Sequence, residues 1–93
     1  KLKLKSAIEF LSMTGASKIR VNAISPGLTL PSGNQTNKDF NRVKSKLPLK
    51  VTPSLVEIAN LALFLIETKS ITNQNIVIDG GQNLISNQDI IFQ

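Results

Sequence analysis

The sequence predicts an α/β fold built on parallel strands, and three observations carry that prediction. Residues 19–24 form a short run containing Ile19, Val21 and Ile24, bounded by a turn signal, as a buried parallel strand reads. Residues 75–79 form a second such run, with Ile76, Val77 and Ile78 contiguous and Gly80-Gly81 breaking it. Between them lies a long stretch with helical patterning, the crossover that parallel pairing requires. The two strands are therefore expected to be adjacent and parallel. The first runs directly into Ser25-Pro26-Gly27-Leu28-Thr29. Pro26 cannot donate to a ladder, and Gly27 lets the backbone turn sharply or approach a ligand closely. The resulting elbow sits at the strand's carboxyl end, where ligands bind in open α/β sheets. On spacing alone, an ordinary strand followed by a turn reads the same way.

The flanking elements follow in order. Residues 2–16 read as a helix, with Leu4, Ala7, Ile8 and Leu11 on one buried stripe and Ser6, Phe10 and Met13 on a second. Two stripes imply cover on two sides, and Gly15 fits the terminus. Residues 25–37 form a loop rich in Pro, Gly, Ser, Thr and Asn, with Pro31-Ser32-Gly33-Asn34 as a turn. Thr36-Asn37-Lys38-Asp39 opens a short helix through about residue 46, carrying Phe40, Val43 and Leu47 on one side, and Pro48 closes it. Thr52 is the expected N-cap of the next helix, with Pro53 at its first position and its end near residue 68. Residues 61–66 are apolar all round, so that end is expected to be buried. A short tail from residue 84 to 93 ends in Ile90-Ile91-Phe92.

Composition narrows the chemistry. The chain has 93 residues and 41% apolar content, which allows one small domain with a packed core. It contains no cysteine, so a disulfide framework, a thiol nucleophile and a thiolate metal site are excluded. It contains no histidine, which removes the commonest metal ligand and general base, and no metal site is expected. No apolar run is long enough to span a bilayer and no signal-peptide pattern is visible, so a soluble, cytoplasmic protein without membrane partners is the expectation. The net charge is +5, with Lys1, Lys3 and Lys5 at the start and Lys38, Arg42, Lys44, Lys46 and Lys50 in the middle. With four Phe, no Tyr or Trp, and no nucleic-acid motif, this reads as a solvated basic face rather than a nucleic-acid footprint. The first residue is Lys, not Met, and a piece of a longer protein is expected.

Three segments resemble one family. Arg20-Val21-Asn22-Ala23-Ile24-Ser25-Pro26-Gly27 resembles the R-V-N-x-I-x-P-G segment of the short-chain dehydrogenase/reductase family. The run from Ile71 to Gly81 is similar to the family's last core strand, usually I-T-G-Q-x-I-x-V-D-G-G, with Asn73 where Gly is usual. Thr52-Pro53 and Glu57-Ile58-Ala59 resemble its T-P-x-E-I-A helix start, and Pro-Gly-Leu-Thr resembles its pteridine-reductase-like branch. The resemblance implies the C-terminal part of a Rossmann-type doubly wound parallel sheet, ordered helix, strand, lid helix, helix, strand. Residues 1–93 would be a single partial domain, with 25–50 as the substrate and cofactor lid. The implied cofactor is NADP or NAD. Pro26 and Gly27 would wall one face of the nicotinamide, the Leu28 N–H would contact its carboxamide, and the Thr29 hydroxyl would meet a carboxamide or phosphate oxygen. The family's Y-x-x-x-K motif opens the first helix, where Tyr handles the carbonyl proton and Lys binds the ribose and lowers the Tyr pKa. Counting back from Arg20 without gaps puts that Lys at Lys1; pairing Lys5 instead shortens the helix by about one turn. The second stripe of that helix and the tail would meet neighbouring subunits of a homo-oligomer, a dimer or tetramer.

Two parts of the family pattern are absent from these residues. There is no tyrosine and no G-x-x-x-G-x-G turn to cradle a pyrophosphate. Two readings therefore stand. One is a fragment of an NAD(P)(H)-dependent oxidoreductase that reduces a carbonyl or imine, or oxidises an alcohol, contributing the nicotinamide wall, lid and subunit interface. The other is a non-catalytic remnant or oligomerisation module.

Overall fold

The computed structural model describes residues 2–29 and 36–85. The elements run α1 (Leu2–Thr14), β1 (Asn22–Pro26), α2 (Asn37–Lys44), α3 (Leu55–Glu67), β2 (Gln74–Ile78) and α4 (Gln82–Ile85). β1 and β2 are adjacent and parallel, in register from Asn22 opposite Gln74 to Pro26 opposite Ile78. The expected pairing is thus present, with β1 displaced from 19–24 toward the elbow. The reason is where the backbone hydrogen bonds go. The Val21 N–H donates to Thr72 Oγ1 at 3.1 Å and its carbonyl accepts from Asn73, so this residue is tied into the loop before β2. At the other end the Gly27 N–H donates to the Ile78 carbonyl at 3.1 Å. Backbone groups alternate sides along a strand, so Pro26 turns its missing donor away from β2, where a strand tolerates proline.

Helices lie on both faces of the sheet. Ser25, Asn75 and Val77 face Leu4 and Ile8 of α1 across a cleft, while Asn22 and Ile24 face Ala62, Leu65 and Ile66 of α3. α1 ends at Thr14, two residues short of the expectation. The Gly15 N–H closes the last turn on the Leu11 carbonyl, and Ile19 folds over the space a Gly15 side chain would take. Of the first expected stripe only Ile8 is buried, joined one turn on by Ser12; Leu4, Ala7 and Leu11 are exposed. Phe10 and Met13 of the second stripe are 66% and 74% exposed, so nothing among the described residues covers it.

Two expectations for α3 are corrected. Its N-cap is Ser54, not Thr52. Ser54 Oγ accepts from the Glu57 N–H at 3.0 Å, and Glu57 returns a bond to the Ser54 N–H at 2.8 Å. This reciprocal box satisfies two orphan donors, which Thr52 has no partner to do. The all-apolar end is also not enclosed: Leu65 is buried, but Leu63, Phe64 and Ile66 are exposed, because two strands cover only one side of the helix. α2 starts as expected, with Thr36 capping the Asp39 N–H, and stops at Lys44. Leu47, just beyond it, is the most deeply buried side chain described, at 1% exposure.

Candidate functional site

The site is built around the exit of β1. Its foundation is the Arg-Val-Asn run preceding the strand. The Arg20 guanidinium donates to four carbonyls: Leu65 at 2.8 Å, Ile66 at 2.9 Å, and Thr68 and Ile71 at 3.1 Å. It thereby satisfies carbonyls left open at the C-terminus of α3, where a cation also meets the negative end of the helix dipole. Asn22 completes the join, donating Nδ2–H to the Ile71 carbonyl at 3.0 Å and accepting the Gln74 N–H on Oδ1 at 3.0 Å. Asn73 adopts φ 62°, the left-handed conformation that Asn tolerates, so the turn survives without the usual glycine. These bonds fix the start of both strands and hence the register that delivers the elbow.

The elbow itself is held from the β2 side. The Leu28 N–H donates to Gln82 Oε1 at 3.0 Å, and the Thr29 hydroxyl donates to the Gly27 carbonyl at 2.8 Å. Gly27 is not at a positive φ, unlike Gly80 and Gly81. A Cβ on it would stand 2.5 Å from Asp79 Cβ and 2.7 Å from Gln82 Oε1. Gly27 is therefore required by the packing of the turn after β2, and the expectation of a special backbone angle there is corrected. Asp79 organises that turn, accepting the Gly81 N–H on Oδ1 at 2.9 Å and the Asn83 N–H on Oδ2 at 2.8 Å.

An open cleft of about 540 Å³ lies between α1 and the strand ends, with Pro26, Gly27, Asp79 and Gln82 on one wall. Lys5 lines the opposite wall with Leu4, Ile8 and Glu9. Lys1, the gap-free candidate, lies outside the described residues, as do the Pro31–Asn34 turn and the Ile90-Ile91-Phe92 tail. Of the candidates, Pro26, Gly27 and Lys5 are brought to one cleft; Leu28 and Thr29 adjoin it with their donors already engaged. Among the described residues no cluster of acidic, Cys or His side chains is arranged to hold a metal ion. The described walls offer an apolar proline ring, backbone groups, the Lys5 ammonium and the carboxylates of Glu9 and Asp79: a surface for binding and orientation. Asp79 and Gln82 were not singled out in the sequence. Asp79 before Gly80-Gly81 carries an Asx-turn signal; Gln82, whose partner is 54 residues away, carries none.

Comparison with known proteins places the chain. The family model described as enoyl-(acyl carrier protein) reductase matches residues 1–83. Human 3-oxoacyl-[acyl-carrier-protein] reductase is 35% identical over 68 residues, which cover 73% of this chain and 28% of that protein. Glucose 1-dehydrogenase 2 of Bacillus subtilis is 35% identical over 91 residues, covering 91% and 35%. The crystal structure of FolM alternative dihydrofolate reductase 1 from Brucella canis, complexed with NADP, superposes with a TM-score of 0.84 at 48% identity, covering 90% of this chain and 34% of that one. The chain thus spans about a third of the length of these proteins.

Proposed function

The chain belongs to the short-chain dehydrogenase/reductase family, and from that premise we propose that it supplies the cofactor wall, the lid and a subunit contact of an NAD(P)(H)-dependent oxidoreductase. The proposed reaction is reduction of a carbonyl or imine, or oxidation of an alcohol. The observation that carries it is the fixed Pro26-Gly27 elbow at the carboxyl end of a parallel strand, in a chain 48% identical to a protein solved with NADP.

The residues fit a nicotinamide in part. Pro26 is exposed on the cleft wall and presents a flat apolar ring suited to an aromatic face. Thr29 Oγ1 gives its proton to the Gly27 carbonyl, so its lone pairs remain to accept from a carboxamide N–H. Leu28 meets a carboxamide only where Gln82 yields its N–H, so its proposed role is chiefly to set the direction of the chain into Thr29. A bound nicotinamide would supply the hydride for reduction or accept it in oxidation; the chain's part is to hold that ring against one side of the cleft and keep water from it. Lys1 is assigned to the ribose and to lowering the pKa of a tyrosine that these residues lack. Lys5, on the cleft wall, is the other assignment. The exposed Phe10 and Met13 would meet a second copy of the protein, as would the tail.

The absence of tyrosine and of a Gly-rich turn from the 93 residues favours one competing reading, a non-catalytic module. The deciding experiment reads the gene upstream of Lys1 and titrates its full-length product with NADPH and NADH by fluorescence. A tyrosine four codons before Lys1, a preceding Gly-rich turn and saturable binding support the oxidoreductase. A start codon near Lys1 and no binding support the module.

A further inference from the structure

The turn after β2 touches the chain at two places far apart in sequence. On one side it holds the elbow: the Gly27 N–H binds the Ile78 carbonyl at 3.1 Å, and the Leu28 N–H binds Gln82 Oε1 at 3.0 Å. On the other it holds the stretch after α2. The Leu49 N–H donates to the Gly80 carbonyl at 3.0 Å. Gly81 lies against the Pro48 ring, and Gly80 lies against the Val51 carbonyl, with the buried Leu47 beside it. Both glycines have positive φ, 64° and 92°, and both lack the space for a Cβ. Their identity is therefore doubly enforced. Asp79 shapes the turn by taking the Gly81 and Asn83 N–H groups, which sets the direction from which Gln82 reaches Leu28.

We propose that residues 79–82 form a clamp joining the elbow to the 47–49 turn, and that Gln82 is a positioning residue for the cofactor-facing elbow. Gln82 acts through Leu28. By accepting that N–H it fixes the peptide that aims Thr29. The cofactor role rests on the oxidoreductase reading above; the clamp itself rests on the hydrogen bonds and glycine contacts alone.

Two substitutions separate the acceptor from the bulk of the side chain. Gln82→Leu removes the acceptor, and Gln82→Glu keeps an oxygen at the same reach. Each is made in the full-length protein and assayed for NADPH affinity, for kcat and cofactor KM with a carbonyl substrate, for melting temperature, and for hydrogen exchange at the Leu28 amide. The expected result for Gln82→Leu is a cofactor KM raised about three- to tenfold, the size of one lost hydrogen bond. Saturated kcat is unchanged, because an interaction common to ground and transition states is lost, and Leu28 exchange is faster. Gln82→Glu returns KM to within about twofold and restores the protection. A Gln82→Leu protein with parental KM and parental Leu28 protection overturns the proposal. So does a Gln82→Glu protein that melts with the parent yet binds no better than Gln82→Leu. If Gln82→Leu does not fold, the parent decides: a Leu28 amide exchanging at the rate of unstructured chain overturns the clamp. A parent that binds neither NADPH nor NADH overturns the oxidoreductase reading instead, while Leu28 exchange still tests the clamp.

Discussion

Gly27 carries a packing role that its motif does not announce. A glycine at a strand exit invites the idea of a ligand approaching the backbone. Here the empty Cβ position faces Asp79 and Gln82. Overpacking costs typically about 1–3 kcal/mol when the neighbours are held in place, and Asp79 is held by two hydrogen bonds. Gly27→Val is therefore expected to lower the melting temperature of the full-length protein and to weaken cofactor binding together, since it pushes the clamp off the elbow. Arg42→Ala, on the exposed face of α2, should change stability by no more than about 0.5 kcal/mol and leave cofactor affinity alone. Thermal melts and fluorescence titration on the two variants check this. A Gly27→Val protein that melts with the parent would mean the clamp gives way freely.

At the scale of elements, the join between α3 and the strands carries the register. Arg20 binds four carbonyls at the end of α3 and the loop beyond it, and Asn22 staples β1 to the first residue of β2. A one-residue slip of a strand would turn every side chain to the opposite face, so this join decides whether Pro26 and Gly27 arrive at the cleft. Arg20→Ala should destabilise by about 1.5–3 kcal/mol, the worth of hydrogen bonds from a charged donor. Arg20→Lys should recover little of it, because a compact ammonium cannot reproduce the planar fork. Equilibrium unfolding in urea measures both. Full recovery by lysine would show that charge at the helix end, rather than the four directed bonds, is what matters.

At the scale of the whole chain, the two-stranded sheet leaves much apolar surface in water. Phe10, Met13, Val56, Phe64, Ile66 and Leu84 are all more than half exposed, and among the large hydrophobic side chains described only Ile8, Leu47 and Leu65 are buried. Two strands with a helix on each side make a thin core, and parallel sheets are stable when both faces and both edges are covered. The isolated 93-residue chain is therefore expected to associate, or to melt broadly at low temperature, and to catalyse no cofactor-dependent carbonyl reduction. Sedimentation, a thermal melt and a reduction assay against a blank without protein check the three parts. A sharp reversible melt from a monomer, or measurable turnover, would contradict them.

The sequence by itself determined the types and order of the elements from α1 to β2 and the parallel pairing, though not the short α4 (Gln82–Ile85), which lies where a tail was expected; the determined parts depend on local signals: β-branched runs, a Pro-Gly stop, a Thr cap ahead of Asp39, and a crossover too long for a hairpin. It also determined the family, through residues 20–27 and 71–81. It misjudged the cap of α3, although Ser54 and Glu57 stood at capping-box spacing, because Thr52-Pro53 offered an equally regular start two residues earlier. It overestimated burial on α1 and α3, since periodicity reports which face is apolar and not how much protein lies against it. Only the tertiary structure decided that Arg20 caps a helix 45 residues away, that Gln82 holds Leu28, and that Gly27 yields its space to Asp79. Those contacts join residues with no periodic relation. Each exists only once the strand register has brought two distant turns within hydrogen-bonding distance.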